Sequence, residues 1–137
     1  YNSHGFRCKE FDDAPAYLAF GCSITEGVGL NENQVWPSIL SNLIQAPVLN
    51  LGVGGASVDT CFRLIDYYID KLNILGIFLL EPFHRRFEIF INNFRDNNIP
   101  RTFYPGLAGD NEAIYKYWIA SELNTEYNIK KNILAIK

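Results

Sequence analysis

The sequence predicts an α/β fold in which helices cover both faces of a mainly parallel sheet. Three short apolar runs, at residues 17–21, 47–51 and 74–80, are predicted to be strands, and the continuous third run is typical of a strand that is buried on both faces. Two segments with apolar residues at helical spacing, 34–44 and 57–72, separate these runs. Because parallel strands need a long crossover between them, this alternation favours a parallel sheet.

The elements of the first half follow from local residue patterns. Residues 1–16 are predicted to be an irregular lead-in that packs Phe6 and Phe11 on the body of the domain. Pro37 falls in the first turn of the first helix, where proline is tolerated, and Ser57 is predicted to cap the second helix. The expected inward residues are Val35, Ile39, Leu40, Leu43 and Ile44 in the first helix, and Leu64, Ile65, Tyr68, Ile69 and Leu72 in the second.

The pattern is weaker after the third apolar run. Residues 84–88 and 90–94 fit a helix or a strand, and residues 97–109, with two prolines and two glycines, are predicted to be a loop. A helix over 110–127 and a fourth strand over 132–136 complete the predicted order. No repeat or linker divides the sequence, so we expect one domain.

The composition excludes several classes of protein. With 48% hydrophobic residues in 137, the chain has enough apolar surface for a core. A net charge of -3, from 12 basic and 15 acidic residues, provides no cationic stripe for nucleic acid. The three cysteines lack metal-ligand spacing and are too sparse for a disulfide scaffold, so we expect no metal site and either a reducing compartment or simple burial.

Targeting features are not evident in the sequence. No apolar run approaches the roughly 20 residues of a membrane span, and no charged-then-apolar leader precedes the first strand. These observations favour a cytoplasmic protein without a membrane partner, although the compartment and the oligomeric state are not determined by them. The chain begins at Tyr1 without a methionine and ends at Lys137 directly after an apolar run, so we expect both ends to be cut.

The candidate site begins at Ser23, which follows the first predicted strand. A serine at the carboxyl end of a buried strand is well placed to be a nucleophile, and the N–H groups after such a turn can stabilise an oxyanion. A serine there can also simply cap a turn. The glycines at 52, 54 and 55 follow the second strand, so a bare N–H of Gly55 is expected to face Ser23 across one crevice.

The same glycines permit a second interpretation. Residues 52–57 (Gly-Val-Gly-Gly-Ala-Ser) nearly match a dinucleotide-binding loop, and Glu81 at the end of the next strand is a candidate ribose ligand. Ser57 replaces the last glycine of that pattern, and a complete strand and helix precede it. Nucleotide binding therefore stays an alternative.

Two segments carry a resemblance to a known family. Residues 21–27 (Gly-Cys-Ser-Ile-Thr-Glu-Gly) and 50–57 (Asn-Leu-Gly-Val-Gly-Gly-Ala-Ser) resemble the first two signature blocks of the SGNH/GDSL hydrolases, and residues 2–7 are similar to the stretch before the first block. The resemblance implies a three-layer α/β/α sandwich, flavodoxin-like, with its C-terminal part missing. It also implies that Ser23 is the nucleophile and that the N–H groups of Ser23 and Gly55 hold the oxyanion.

The chain departs from the family pattern at three points. Cys22 stands where the family has an aspartate before the serine, which is a minor change. The third block lacks its asparagine, and the Asp-x-x-His block that supplies the base is absent from these 137 residues. The resemblance therefore implies a truncated chain that is nearly inactive alone.

Four further residues are expected to line the pocket: Thr25, Glu81, His84 and Arg85. Glu81 and His84 stand three apart beyond a strand end, so His84 is an alternative base, and Arg85 is a candidate replacement for the missing asparagine. His4 is expected at the surface.

The function implied by the resemblance is hydrolysis of a carboxylic ester, such as an acetylated carbohydrate, a lipid or a small ester, without a cofactor. The alternative from another class is an inactive module that binds a carbohydrate or acyl ligand in the same pocket.

Overall fold

The computed structural model describes residues 1–84, 86–93 and 96–103. Their order is β1 (Ala16–Phe20), α1 (Ser23–Glu26), a 3-10 turn (Glu32–Gln34), α2 (Trp36–Ile44), β2 (Val48–Asn50), α3 (Val58–Tyr68), β3 (Ile74–Leu79), β4 (Phe87–Asn93) and β5 (Asp96–Phe103). The helix predicted over 110–127 and the strand predicted over 132–136 lie outside these residues, as does Arg85.

Strands β1, β2 and β3 form a parallel sheet in the order β2-β1-β3. Leu18 of β1 lies opposite Leu49 of β2 on one side and Ile77 of β3 on the other. Helices occupy the connections between these strands, so the predicted α/β class is confirmed. The order 2-1-3 is also that of the first three strands in flavodoxin-like sheets.

The core lies between β1, β2, α3 and the lead-in. Leu18 and Phe20 of β1 are fully buried and belong to one cluster with Cys61 and Tyr68 of α3. Phe6 from the lead-in is 5% exposed and packs edge-on against Tyr68, with ring centroids 5.6 Å apart. The irregular lead-in is therefore part of the core, as its aromatic residues predict.

The predicted helix starts agree with the structure. Ser57 caps α3: its Oγ accepts the N–H of Thr60 at 3.2 Å, and the Thr60 hydroxyl accepts the N–H of Ser57. Pro37 lies in the first turn of α2 and is buried. Helix α3 ends at Tyr68, before the predicted end at 72, because residues 69–73 turn into β3.

The prediction of the inward face of α2 was wrong for Ile39, Leu43 and Ile44, which are exposed. Ile39 is 45% exposed and Leu43 is 76% exposed, whereas Val35, just before the helix, is buried. Helix α2 packs along β2, which has three residues, so this short strand contacts only part of the nine-residue helix. Ile69, just after α3, is also exposed, while Leu64 and Ile65 of α3 and Leu72 beyond it pack against the core.

The prediction that the third strand is buried on both faces was also wrong. Leu75 and Ile77 are 52% and 38% exposed. The reason is position: β3 is the outer strand of the described three-stranded sheet, and the core cluster covers β1 and β2.

The predicted loop at 97–109 is a strand over the part that the structure describes. Strands β4 and β5 pair antiparallel, with Phe87 opposite Phe103 and Phe90 opposite Pro100. Pro100 is tolerated because β5 is an edge strand of a two-stranded sheet, where a missing N–H costs little. Of the prolines and glycines that predict a loop, only Pro100 lies in the described residues.

Candidate active site

Ser23 lies at the carboxyl edge of the sheet, three residues after β1 ends. It begins the one-turn helix α1, is partly buried, and has Cys22 at its N-cap. The Cys22 carbonyl accepts the N–H groups of Thr25 and Glu26, both at 2.9 Å, so the turn is well defined. This is the position that the sequence predicts for a nucleophile after the first strand.

The loop after β2 packs directly on α1. A Cβ at Gly52 would collide with the Glu26 nitrogen and lie 2.7 Å from the Thr25 carbonyl carbon, so the backbones approach as closely as only glycine permits. Asn50, 3% exposed, joins the two loops: its Nδ2 donates to the Thr25 carbonyl at 2.7 Å and its Oδ1 accepts the Gly52 N–H at 3.0 Å. The loops therefore hold each other in place.

Gly55 lies farther along the same loop and has φ = 80°, a left-handed conformation that favours glycine. Within the described part of the chain, no hydrogen bond engages the N–H of Ser23 or that of Gly55. Both are backbone donors at one edge of the sheet, on loops that contact each other. Such unoccupied N–H groups are the groups from which an oxyanion site is built.

The thiol of Cys22 is in a polar environment although it is 8% exposed. Burial opposes its ionisation, but hydrogen bonds from the Ile24 N–H, Arg86 and Ser23, together with the positive charge of Arg86, outweigh burial and lower the pKa of Cys22 below its usual value. The contrast is Cys61, where burial raises the pKa to about 12. Among the three cysteines, only Cys22 therefore has a lowered pKa.

Arg86 comes from the loop after β3 and reaches both other loops. Its Nη1 donates to the Ala56 carbonyl at 3.4 Å, and its positive charge helps to lower the pKa of the Cys22 thiol. The side chain is partly buried. A positive charge therefore lies where the loops after β1, β2 and β3 meet.

The other expected pocket residues lie in different surroundings. Thr25 is fully buried and accepts a hydrogen bond from the Trp36 indole at 3.2 Å, so we interpret it as a support of α1. Glu81 is exposed, and His84 is partly buried with its ring 4.9 Å from that of Phe83. Within the described residues no hydrogen bond joins Ser23 to a histidine. His4 is exposed and stacks on Phe11.

Sequence reasoning assigned no chemical role to Asn50 or to Arg86, although Arg86 belongs to the loop from which pocket residues were expected. Arg85, the candidate replacement for the missing asparagine, lies outside the described residues, whereas its neighbour Arg86 is described. Asn50 could have been recognised in the sequence as the polar residue at the end of an apolar strand. Such a residue is often retained because it satisfies loop backbone groups.

The topology disfavours the dinucleotide interpretation. In that fold the acidic residue follows the strand next to the glycine loop. Here β1 lies between β2, which precedes Gly52, and β3, which precedes Glu81. Glu81 is thus two strand spacings away from the glycine loop, about 10 Å along the sheet.

The described ranges hold neither a cluster that could bind a metal ion nor a helix that could span a membrane. Histidine, cysteine and acidic side chains do not gather there in groups of three that could hold a metal ion. None of the described helices is long and apolar enough to cross a membrane.

Comparison with known proteins finds similar solved structures at low identity. No protein-family model matches the chain, and no curated protein matches it significantly. Among solved structures, it is similar to AlinE4, described as an SGNH-hydrolase family esterase, at 25% identity and a TM-score of 0.43. The match covers 53% of this chain and 42% of that one. Two variants of the same esterase give the same TM-score at 25% and 24% identity. At this TM-score the likeness does not assign a function.

Proposed function

We propose that Ser23 is the nucleophile of an ester hydrolase of the SGNH/GDSL type. The observation that supports it best is the arrangement of two backbone donors: the N–H groups of Ser23 and Gly55 lack acceptors in the described residues and belong to two loops packed on each other. Negative charge on a tetrahedral intermediate needs such donors in a fixed arrangement. In this chain, contacts of Asn50 and Gly52 hold the two loops in place.

The proposed reaction is an acyl transfer through the serine. The Ser23 oxygen attacks the ester carbonyl, its proton passes to a base, and the alcohol leaves with a proton returned by that base. Water then hydrolyses the acyl-serine. As the resemblance implies, we assign the base to a histidine that these 137 residues do not contain, with His84 as the alternative within them.

The test uses the protein expressed from its entire reading frame. Ser23→Ala is expected to lower the rate of p-nitrophenyl acetate hydrolysis by at least about 1,000-fold, because removal of a nucleophile abolishes acyl-enzyme formation. Ser3→Ala is the matched control: Ser3 is exposed and its hydroxyl contacts Glu10, so its rate stays unchanged. Equal rates for Ser23→Ala and the wild type would exclude Ser23 as nucleophile.

A second variant separates the two assignments of the base. His84→Gln is expected to change the rate less than 10-fold when the base lies elsewhere, and to reduce it as strongly as Ser23→Ala when His84 takes the proton. The acidic limb of the pH–rate profile, measured in both proteins, shows whether His84 carries the titration.

A further inference from the structure

The turn that carries Gly55 is anchored at both of its ends. At the first end, the Val53 N–H donates to the Gly21 carbonyl at 3.1 Å, which ties the turn to the loop after β1. The Ala56 N–H then donates to the Val53 carbonyl at 3.0 Å and closes a four-residue turn over Gly54 and Gly55. The position of the Gly55 N–H therefore depends on how firmly the second end of the turn is held.

Gly54 and Gly55 differ from their neighbours in this loop. Within the described residues, the N–H groups of residues 52, 53, 56 and 57 all have acceptors, and those of Gly54 and Gly55 have none. Gly54 is exposed, whereas Gly55 is partly buried. Water can satisfy the exposed Gly54 N–H, so the Gly55 N–H is the donor of this loop that is better placed for a ligand.

The second end of the turn is held by Thr60. The Ser57 N–H donates to the Thr60 Oγ1 at 3.2 Å, and both residues are buried. The same hydroxyl donates to the Glu88 Oε1 at 2.9 Å. A hydroxyl has one proton and two lone pairs, so a hydroxyl that donates to Glu88 keeps its lone pairs for Ser57. Thr60 therefore supplies the acceptor for the last N–H of the loop before α3.

Glu88 provides a fixed acceptor for the Thr60 proton. Its carboxylate is 4% exposed and receives the Nε of Arg63 at 2.8 Å and the Nη2 of Arg63 at 3.0 Å. Its backbone N–H donates to the Asp59 carboxylate at 3.0 Å, in the first turn of α3. A carboxylate in an ion pair only accepts hydrogen bonds, so the proton between Thr60 and Glu88 belongs to Thr60.

We propose that Thr60 is a positioning residue for the Gly55 oxyanion donor and that it acts through the Ser57 N–H. This inference rests on the proposed function and adds a residue to its machinery. When the Thr60 hydroxyl is removed, the buried Ser57 N–H loses its acceptor, and a buried donor without an acceptor is costly. The loop shifts to satisfy that donor. Since Val53 stays tied to Gly21, the shift falls on the glycines between them, whose backbone resists least.

The first test compares substitutions of Thr60 in the protein expressed from its entire reading frame. Thr60→Val has nearly the same shape without the hydroxyl and is expected to lower kcat for p-nitrophenyl acetate about 10- to 30-fold, because a displaced donor stabilises the oxyanion less. KM is expected to change less than about 2-fold, since the donor acts mainly in the transition state. Thr60→Ser retains the hydroxyl and is expected to stay within about 3-fold of the wild type. Thr60→Ala removes the hydroxyl without placing a methyl group there, so it gives the same loss in kcat when Thr60→Val does not fold.

The matched control is Ser41→Ala, which removes another hydroxyl that makes a hydrogen bond to the backbone. The Ser41 Oγ donates to the Ala46 carbonyl at 2.8 Å, just after the end of α2. We expect Ser41→Ala to lower the urea midpoint and to leave kcat unchanged. Equal kcat for Thr60→Val and the wild type would overturn the proposal. A loss of kcat that Thr60→Ser and Ser41→Ala share would overturn it as well, because it would follow from stability alone.

A measurement without catalysis separates this inference from the proposed function. In proton–nitrogen NMR spectra, the Gly55 amide resonance is expected to move in Thr60→Val and to keep its position in Thr60→Ser and Ser41→Ala. An unmoved Gly55 resonance in Thr60→Val contradicts the inference, whatever the hydrolysis assay shows about Ser23. If the resonance moves and Ser23→Ala hydrolyses the ester normally, the link from Thr60 to Gly55 stands and the proposed function fails.

Discussion

The loops of the crevice are held in two different ways. Those after β1 and β2 are locked to each other, by the close approach of Gly52 to α1 and by the buried amide of Asn50. The loop after β3 is held from outside, because Glu88 anchors the start of β4 to α3. The first two loops supply backbone N–H groups, whereas the third supplies a side-chain charge.

The two kinds of contact hold different groups in place. The backbone N–H groups belong to two loops that pack on each other. The Arg86 side chain is long, and the contacts of Glu88 with α3 hold the backbone close to it in place. Substitutions in the first two loops are therefore expected to affect the fold and the hydrolysis of every ester. Substitution of Glu88 is expected to affect mainly the position of Arg86.

The largest effect is expected for Gly52→Ala. Its Cβ would overlap the backbone of α1, which cannot move without displacing Ser23, so we expect the free energy of unfolding to fall by about 3 kcal/mol. Gly54→Ala is the matched control, because there the Cβ meets only the flexible end of the Glu26 side chain. Urea denaturation measures both, and equal losses would contradict the proposed packing.

The next effect is expected for Glu88→Gln. A nearly buried carboxylate loses its charge beside Arg63, which is itself 39% exposed, so we expect a loss of about 2 kcal/mol in unfolding free energy. Glu32→Gln, at an exposed position, is the control and leaves the urea midpoint unchanged. A midpoint for Glu88→Gln that matches the control would show that the third loop is held by other contacts.

A smaller loss, about 1.5 kcal/mol, is expected for Asn50→Asp. The substitution removes the amide donor to the Thr25 carbonyl and leaves that buried carbonyl without its partner, while the acceptor for the Gly52 N–H is kept. Asn42→Asp, at an exposed position of α2, is the control. If both variants unfold at the same urea concentration, the Asn50 amide does not link the loops.

The smallest expected effect is a difference in the pH at which two cysteine thiols ionise. The pKa of Cys22 is lowered below its usual value, while burial raises the pKa of Cys8 to about 11. Thiolate forms at lower pH where the pKa is lower, so the midpoint of iodoacetamide alkylation against pH is expected to be lower for Cys22. Mass spectrometry of the peptides reads both midpoints in one sample.

Arg86→Gln tests the cause of that shift. Loss of the guanidinium removes a hydrogen bond and a positive charge from the Cys22 thiolate, so its alkylation midpoint moves to higher pH while that of Cys8 stays. An unchanged Cys22 midpoint would show that Arg86 does not contact the thiol.

The features that the sequence predicts depend on residues close in the chain. Those that it does not predict depend on contacts between elements that are distant in the chain. Ser23, Gly55 and the Ser57 cap follow from strand ends, glycine and helix capping, which are all local. The exposure of Leu43 and the pairing of Pro100 depend on which elements lie beside them, and no local pattern contains that. The contact of Arg86 with the Ala56 carbonyl is of the same kind, because it joins residues 30 positions apart in the sequence.

The most direct test of the proposed nucleophile is covalent labelling. The protein expressed from its entire reading frame is treated with an alkyl fluorophosphonate, which phosphonylates an activated serine with loss of fluoride, and the labelled peptide is identified by mass spectrometry. We predict one label, on Ser23, absent from Ser23→Ala and present in Ser3→Ala. A label on another residue, or equal labelling of Ser23→Ala, would contradict the account.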